Sequence, residues 1–104
     1  MEKKKVIYIA GPITGVKRYW EAFERAEDEL LALGYIPLSP SRLPVGLSEQ
    51  QYMGISLATI TVADAVLFLP GWEHSKGAMM EMQFCKFTNK PTYTDPRLIG
   101  EMEE

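Results

Sequence analysis

Short apolar runs alternate with longer amphipathic segments along this chain, and this alternation limits the folds open to it. The first run, Val6–Ala10, is continuously apolar and ends at a Gly-Pro pair. Such a run predicts a strand that is buried on both faces. The other predicted strands lie at 35–40, 65–70 and 90–94.

Three helices are predicted between these strands. In 18–33, apolar residues recur at three- and four-residue steps, which indicates an amphipathic helix. The predicted buried stripe is Trp20, Phe23, Ala26 (or Glu27), Leu30 and Leu31. The sequence "SEQQ" at 48–51 is a capping box that begins a helix. This second helix is predicted to run to about Val62 and the third from about 75 to 88. The acidic end, 100–104, is expected to be a frayed tail or a short turn.

The regular order of strand and helix predicts a parallel sheet with right-handed crossovers and helices on both faces. The predicted fold class is α/β, a flavodoxin-like or Rossmann-like three-layer sandwich with a short parallel sheet of order 2-1-3-4. The 104 residues suffice for one core, so 1–104 are expected to form a single domain. Open sheets of this kind bind ligands where the chain direction reverses, here between the loops 11–15 and 70–77.

Charge and cysteine content exclude several classes of protein. The formal net charge is −3, whereas a protein that coats nucleic acid is usually basic. Cys85 is the single cysteine, which excludes a cysteine-based zinc site and fits a reducing cytoplasm. No segment approaches the ~20 apolar residues of a membrane span. We therefore expect a cytoplasmic protein without metal or cofactor that binds neither nucleic acid polymers nor membranes.

The segment "GWEHSKGAMMEMQFC", residues 71–85, places a carboxylate on the apolar stripe of the third helix. Glu81 shares a helix face with Gly77 and Cys85 and is expected to point inward near the top of the sheet. A helix glutamate more often turns to solvent. At this position, however, a partly desolvated carboxylate is a plausible nucleophile or base.

The start of the same helix is a predicted anion-binding element. Ser75, Lys76 and Gly77 combine a hydroxyl, a cation and a residue that permits close approach with the free amides of a helix N-terminus. Ser75 is equally well explained as an ordinary N-cap, and both roles are compatible.

Four further candidates lie near the expected crevice. Gly11 and Pro12 follow strand 1, where the backbone can approach a ligand, although a simple turn explains them equally well. Trp72 lies on the other crevice loop and is placed to stack on a base, or to make a core or dimer contact. Tyr8 lies in strand 1 and can reach across to the helix that carries Glu81.

These residues resemble the nucleoside 2-deoxyribosyltransferase-like superfamily, in particular its small members from bacteria and phages. The resemblance covers most of the chain, at "IYIAGPITG", "GYIPLSP" and "ADAVLFLPGWEHSKGAMMEMQFC". Its most specific part is Ser75-x-Gly77-x-x-x-Glu81, since the superfamily frames its active site with an acidic residue or a serine, followed by x-Gly-x-x-x-Glu. The resemblance implies that Glu81 is the nucleophile that attacks the anomeric carbon of a sugar and that Tyr8 orients it.

The resemblance also bears on substrate. Superfamily members that take free nucleosides carry an aspartate at the position of Ser75, and relatives that hydrolyse nucleoside 5′-monophosphates carry a serine. This implies cleavage of the N-glycosidic bond of a nucleotide or nucleoside, most simply a 5′-monophosphate, by hydrolysis or base transfer through a covalent intermediate. Glu73 and Asp95 are the candidate proton donors. A second subunit is expected to complete the site, in a homodimer or higher assembly.

One departure from the superfamily pattern keeps other functions open. Many relatives carry an aspartate or arginine on helix 2 where this chain has Gly54 and Ser56. The alternatives are a non-catalytic nucleotide-binding or sensing domain and an interaction module of the kind found in phages. The predicted dimer contact lies on helices 2 and 3, where Met79 and Met80 are among the available apolar residues.

Overall fold

The computed structural model describes residues 3–100, and in this range four parallel strands form one sheet. The strands are β1 (Val6–Ala10), β2 (Ile36–Leu38), β3 (Ala65–Phe68) and β4 (Thr92–Tyr93). Their order across the sheet is β2-β1-β3-β4, as predicted. In β1, Tyr8 lies opposite Leu38 on one side and Val66 on the other.

The three predicted helices are present, with ends within two residues of those predicted. They are α1 (Tyr19–Ala32), α2 (Glu49–Val62) and α3 (Lys76–Thr88). The capping box of α2 makes both of its hydrogen bonds, from Gln51 N to Ser48 Oγ at 3.0 Å and from Ser48 N to Gln51 Oε1 at 2.9 Å. These local signals place the helix start without help from tertiary contacts.

Strands β2, β3 and β4 are each shorter than predicted, and each is followed by a short 3₁₀ turn that the sequence pattern does not predict. Pro40 begins the first of these turns, with Ser39 as its cap, so β2 ends at Leu38. The turns span Pro40–Arg42, Trp72–His74 and Pro96–Leu98.

β2 forms an edge of the sheet. Ile36 N donates to Lys5 O at 2.9 Å, so the amide position of the next residue, Pro37, faces away from β1. Proline has no N–H to present there.

Alternation along the strands separates the core into two clusters on opposite faces. Ile7 and Ile9 of β1 face α1, whereas Tyr8 and Ala10 face α2 and α3. The α1 cluster also contains Phe23, Ala26, Leu30, Ala65, Leu67, Leu69 and Ile99; the α2–α3 cluster also contains Ile60, Ala63, Val66, Phe68 and Cys85.

The buried stripe of α1 differs from the predicted one. Trp20 is 45% exposed and Leu31 is 58% exposed. The positions that face the sheet are 23, 26, 27 and 30, so the centre of the predicted stripe is confirmed and only its two ends differ.

The predicted dimer contact and the predicted lack of membrane binding both remain predictions. Met79 and Met80, on the predicted dimer contact, are about half exposed. Within residues 3–100, no helix is both long and apolar enough to cross a membrane. The acidic segment 101–104 lies outside the described residues.

Candidate active site

Tyr8 and Glu81 meet between the sheet and α3. The side chain of Tyr8 points to the α2–α3 face because strand residues alternate, and Glu81 lies on the buried stripe of α3 between Ala78 and Cys85. Tyr8 is 2% exposed and Glu81 is 6% exposed. The structure therefore shows the inward direction that the helix pattern predicts for Glu81.

A hydrogen-bonded set of three side chains joins β1, α2 and α3. Tyr8 Oη lies 2.9 Å from Glu81 Oε2 and 3.0 Å from Ser56 Oγ. A phenol carries one proton, and a carboxylate attracts that proton more strongly than a hydroxyl does. Tyr8 therefore donates to Glu81, Ser56 Oγ lies within hydrogen-bond distance of the same phenol oxygen, and all three side chains are buried.

Burial sets the electrostatics of this set. Desolvation raises the pKa of Glu81 above its ordinary value, and hydrogen bonds from Tyr8 and Ser56 oppose the rise. Desolvation and then the nearby Glu81 carboxylate raise the pKa of Tyr8, so its phenol stays protonated. The same two causes raise the pKa of Cys85 to about 11. Among residues 3–100, Glu81 forms no ion pair, so hydroxyl groups alone stabilise its charge.

The start of α3 precedes Glu81 by one helical turn. Ser75 Oγ accepts a hydrogen bond from Ala78 N at 3.2 Å, which confirms Ser75 as the N-cap. Lys76 is exposed. A Cβ added at Gly77 would have Met53 Cε as its nearest neighbour, at 3.8 Å, so packing within the protein does not require glycine there. The open approach and the free amides suit an anion.

The loops that follow β1 and β3 pack against each other. A Cβ at Gly11 would lie 3.0 Å from Leu69 Cβ, and one at Gly71 would lie 3.5 Å from Pro12 Cγ. Close approach of Leu69 therefore accounts for Gly11 without a ligand. Gly71 has a φ of 89°, which favours glycine on backbone grounds as well.

Trp72 contacts the core from the 3₁₀ turn after β3. Its ring centroid lies 5.2 Å from that of Phe68, and the indole is half-buried against the α2–α3 cluster. Core packing therefore accounts for the buried part of the indole. This agrees with the predicted alternative in which Trp72 makes a core contact.

A cavity of about 360 Å³ lies on the β2 side of β1, between β2, α1 and α2. Tyr8 and Ser56 form part of its wall, whereas Glu81 and the start of α3 do not line it. The sequence predicts a crevice between the loops after β1 and β3, but those loops pack together and this space lies toward β2. The lining residues are Tyr8, Glu27, Leu31, Pro37, Leu38, Ser39, Pro40, Arg42, Leu43, Ile55, Ser56 and Thr59.

An ion pair closes one side of this cavity. Arg42 Nη2 lies 2.7 Å from Glu27 Oε1, and Arg42 Nε lies 3.2 Å from Glu27 Oε2. Glu27 is buried, whereas the guanidinium is largely exposed. The pair fixes the 3₁₀ turn after β2 to α1.

The sequence pattern does not predict the contact that Ser56 makes, and it marks Ser56 only as a departure from the charged residues of the resembling superfamily. A signal was available, because Ser56 precedes the fully buried Ile60 by four residues and so lies on the inward stripe of α2. Gly54, the other departure, is exposed.

Within residues 3–100, neither candidate proton donor is hydrogen-bonded to the set. Hydrogen bonds from Arg97 hold the pKa of Asp95 below its ordinary value, which favours the ionised carboxylate. Glu73 is exposed on the 3₁₀ turn after β3. Within residues 3–100, no group of three or more His, Cys, Asp and Glu side chains is placed to hold a metal ion.

The family follows from a match over most of the sequence. A family model described as a domain of unknown function, DUF4406, matches residues 5–94. The chain belongs to the DUF4406 family. No curated protein matches the sequence.

Among solved structures, the DUF4406 protein is similar to a 2-desoxiribosyltransferase from Leishmania mexicana. The TM-score is 0.68 at 21% sequence identity, and the alignment covers 88% of this chain and 65% of that chain. The DUF4406 protein thus spans just under two thirds of the transferase. The likeness confirms the predicted nucleoside 2-deoxyribosyltransferase-like fold.

Proposed function

We propose that this DUF4406 protein is an enzyme that cleaves the N-glycosidic bond of a nucleoside 5′-monophosphate, with Glu81 as the nucleophile. The observation that carries the proposal is the buried contact between Tyr8 and Glu81 at 2.9 Å. A glutamate buried for stability is normally paired with a cation, and Glu81 has only hydroxyl partners among the described residues. The name of the similar solved structure, a 2-desoxiribosyltransferase, supports a glycosyl reaction.

The proposed reaction has two displacements at one carbon. A carboxylate oxygen of Glu81 forms a bond to C1′ while the C1′–N bond breaks. The electron pair of the C1′–N bond leaves with the base, and the base takes up a proton. Tyr8 holds Oε2, which leaves Oε1 to attack. Water then forms a bond to C1′ while the C1′–Oε1 bond breaks, which frees the Glu81 carboxylate, releases the sugar phosphate and returns the water proton to solvent. In base transfer, a second base attacks C1′ in place of water. Two inversions retain the configuration at C1′.

The start of α3 is the proposed phosphate site. Its first turn contains no acidic residue, the amides of Lys76 and Gly77 are free of intrahelical acceptors by their position, and Ser75 has a hydroxyl proton to donate. Glu81 follows one turn later, so a sugar that is held by its 5′-phosphate would extend along α3 toward the carboxylate.

Turnover is tested with a panel of nucleosides, deoxynucleosides and their 5′-monophosphates, with free base followed by chromatography. We expect release of base from at least one monophosphate. If no base is released from any member of the panel while calorimetry shows that a monophosphate binds, the protein is a nucleotide-binding domain and not an enzyme.

The phosphate site is tested by affinity. A monophosphate should bind about 10–150-fold more tightly than the matching nucleoside, which corresponds to roughly 1.5–3 kcal/mol for a hydrogen-bonded charged group. Gly77→Ala should fold, since the added carbon meets only Met53 Cε at 3.8 Å, but it should weaken monophosphate binding. Gly54→Ala, on the exposed face of α2, is the matched control. Equal affinities for nucleoside and monophosphate would contradict the site.

A non-catalytic nucleotide-binding domain is the second candidate. The observation in its favour is that the 360 Å³ cavity borders on Tyr8 and Ser56 but not on Glu81. A ligand in that cavity would contact the hydroxyls of the set without reaching the carboxylate. The same panel separates the two functions, since only the enzyme releases base.

A further inference from the structure

We propose that Ser56 is a positioning residue of this site, whose hydroxyl holds the Tyr8 phenol in the orientation that donates to Glu81. The kinetic part of this proposal depends on the proposed function. The structural part depends only on the contacts among three buried side chains.

The direction of the Ser56 side chain is unusual for a hydroxyl on a helix. Thr59 and Thr61 of α2 each donate to a carbonyl of their own helix, Ile55 O at 2.7 Å and Leu57 O at 2.8 Å. This is the usual contact of a helical threonine that is not otherwise engaged. Ser56 Oγ instead lies 3.0 Å from Tyr8 Oη, on another element 48 residues away in the sequence.

Tyr8 has space to move if this contact is absent. The cavity of about 360 Å³ borders on both Tyr8 and Ser56, and Tyr8 is 2% exposed, so a small part of its side chain faces open volume. Glu81 does not line this cavity and lies 2.9 Å from Tyr8 Oη. Ser56 is 6% exposed and lies one turn before the fully buried Ile60, so its own position is fixed by the core. It can therefore serve as a rigid anchor.

Linked hydrogen bonds polarise one another, so a change at Ser56 reaches Glu81 through the phenol that contacts both. The groups that face Glu81 are Tyr8 from β1, Ser56 from α2 and Cys85 from its own helix. Of these, Tyr8 and Ser56 act to lower the pKa of Glu81 against the effect of burial. Loss of the Ser56 hydroxyl should therefore raise the pKa of Glu81.

The first test is a titration of the Glu81 carboxyl carbon by NMR in the full-length protein, which requires no substrate. In Ser56→Ala the pKa of Glu81 should rise, and in Ser56→Thr, which keeps the hydroxyl, it should stay near that of the parent protein. Thr61→Ala removes an exposed hydroxyl from the same helix and is the matched control. Equal pKa values in the parent protein and Ser56→Ala would overturn the proposal.

The second test separates an effect through Tyr8 from a direct effect on Glu81. In a Tyr8→Phe background, Ser56→Ala should cause little further change in the pKa of Glu81. A change as large as in the parent background would overturn the positioning role. Should Ser56→Ala fail to fold, Ser56→Cys keeps the volume with a weaker donor, and a rise in the same direction is expected.

The kinetic test uses any substrate found in the panel. Ser56→Ala should lower kcat about fivefold, the equivalent of one hydrogen bond of roughly 1 kcal/mol, and should shift the acidic limb of the pH profile upward. A loss confined to KM with an unchanged pH profile would contradict the proposal. If the parent protein releases no base, the proposed function fails and the NMR titration still answers the question about Ser56.

Discussion

Two glutamates are buried to the same extent in this fold, but on opposite faces of the sheet and with different partners. Glu27 of α1 and Glu81 of α3 are each 6% exposed. Glu27 accepts two hydrogen bonds from the Arg42 guanidinium. Glu81 receives its hydrogen bond from the uncharged Tyr8. Burial alone therefore does not distinguish them, and the charge of the partner does.

The difference indicates what each carboxylate contributes. A bidentate guanidinium neutralises Glu27 and occupies both of its oxygens, which fits a fixed structural link between α1 and the turn after β2. Glu81 keeps its negative charge in a poorly solvated place, which costs stability and leaves a reactive group. Unfavourable burial of this kind is expected where function requires it.

The largest expected effect comes from removing the charge of Glu81. Glu81→Gln should lower base release by about a thousandfold or more, since the nucleophile is lost. Glu24→Gln, an exposed change on α1, is the control and should leave turnover unchanged. Near-parental turnover by Glu81→Gln would show that the two glutamates do not differ in the proposed way.

The same variant should be more stable than the parent protein at neutral pH. Because burial raises the pKa of Glu81, the folded state binds its proton more tightly than the unfolded state does. The resulting penalty is absent below the ordinary glutamate pKa and is fully present above the raised one. Thermal unfolding should thus show a gain for Glu81→Gln at about pH 8 that disappears toward about pH 4.

The second effect extends the comparison to the faces that carry the two glutamates. Leu30 is fully buried in the α1 cluster, so Leu30→Ala should cost about 3 kcal/mol of unfolding free energy. Denaturant unfolding measures this loss. Base release per folded molecule should remain unchanged, since the α2–α3 face is not touched. If base release per folded molecule fell together with the unfolding free energy, the two faces of the sheet would not be independent.

The third effect concerns the low polarity around Glu81. The pKa of Cys85 is raised to about 11 from an ordinary value of 9.0, a shift of about two pH units that reduces the thiolate about a hundredfold. Alkylation by iodoacetamide at about pH 8 should therefore be at least about a hundredfold slower in the folded protein than in urea. A comparable rate in both states would mean that α3 does not exclude solvent at this depth.

The smallest effect tests Glu27. Glu27→Gln should lower the midpoint of thermal unfolding by a few degrees, because it removes a charge that is paired with Arg42. Glu81→Gln, which removes a charge without a cationic partner, should change the midpoint in the opposite direction at neutral pH. Arg42→Gln should have a similar effect, and the double variant should lose less than the sum of the two single losses. A stabilised Glu27→Gln variant would contradict the distinction drawn between the two carboxylates.

Local patterns predicted most of the fold, and tertiary contacts account for what they missed. The capping box at Ser48, the N-cap at Ser75 and the buried run of β1 each depend on neighbours in the sequence, so their positions could be predicted. The inward direction of Glu81 followed from the helical repeat. The contact of Ser56 with Tyr8 spans 48 residues, and the cavity depends on how three elements meet, so neither has a local signal of comparable strength.

The proline in the edge strand β2 also bears on how the protein behaves in concentrated solution. An edge strand that presents free amides can pair with a strand of another molecule, and this is a common route to aggregation. The outward amide position at the centre of β2 belongs to Pro37, which has no hydrogen to donate. β4, at the other edge, contains only two residues. Both edges therefore offer little for intermolecular strand pairing.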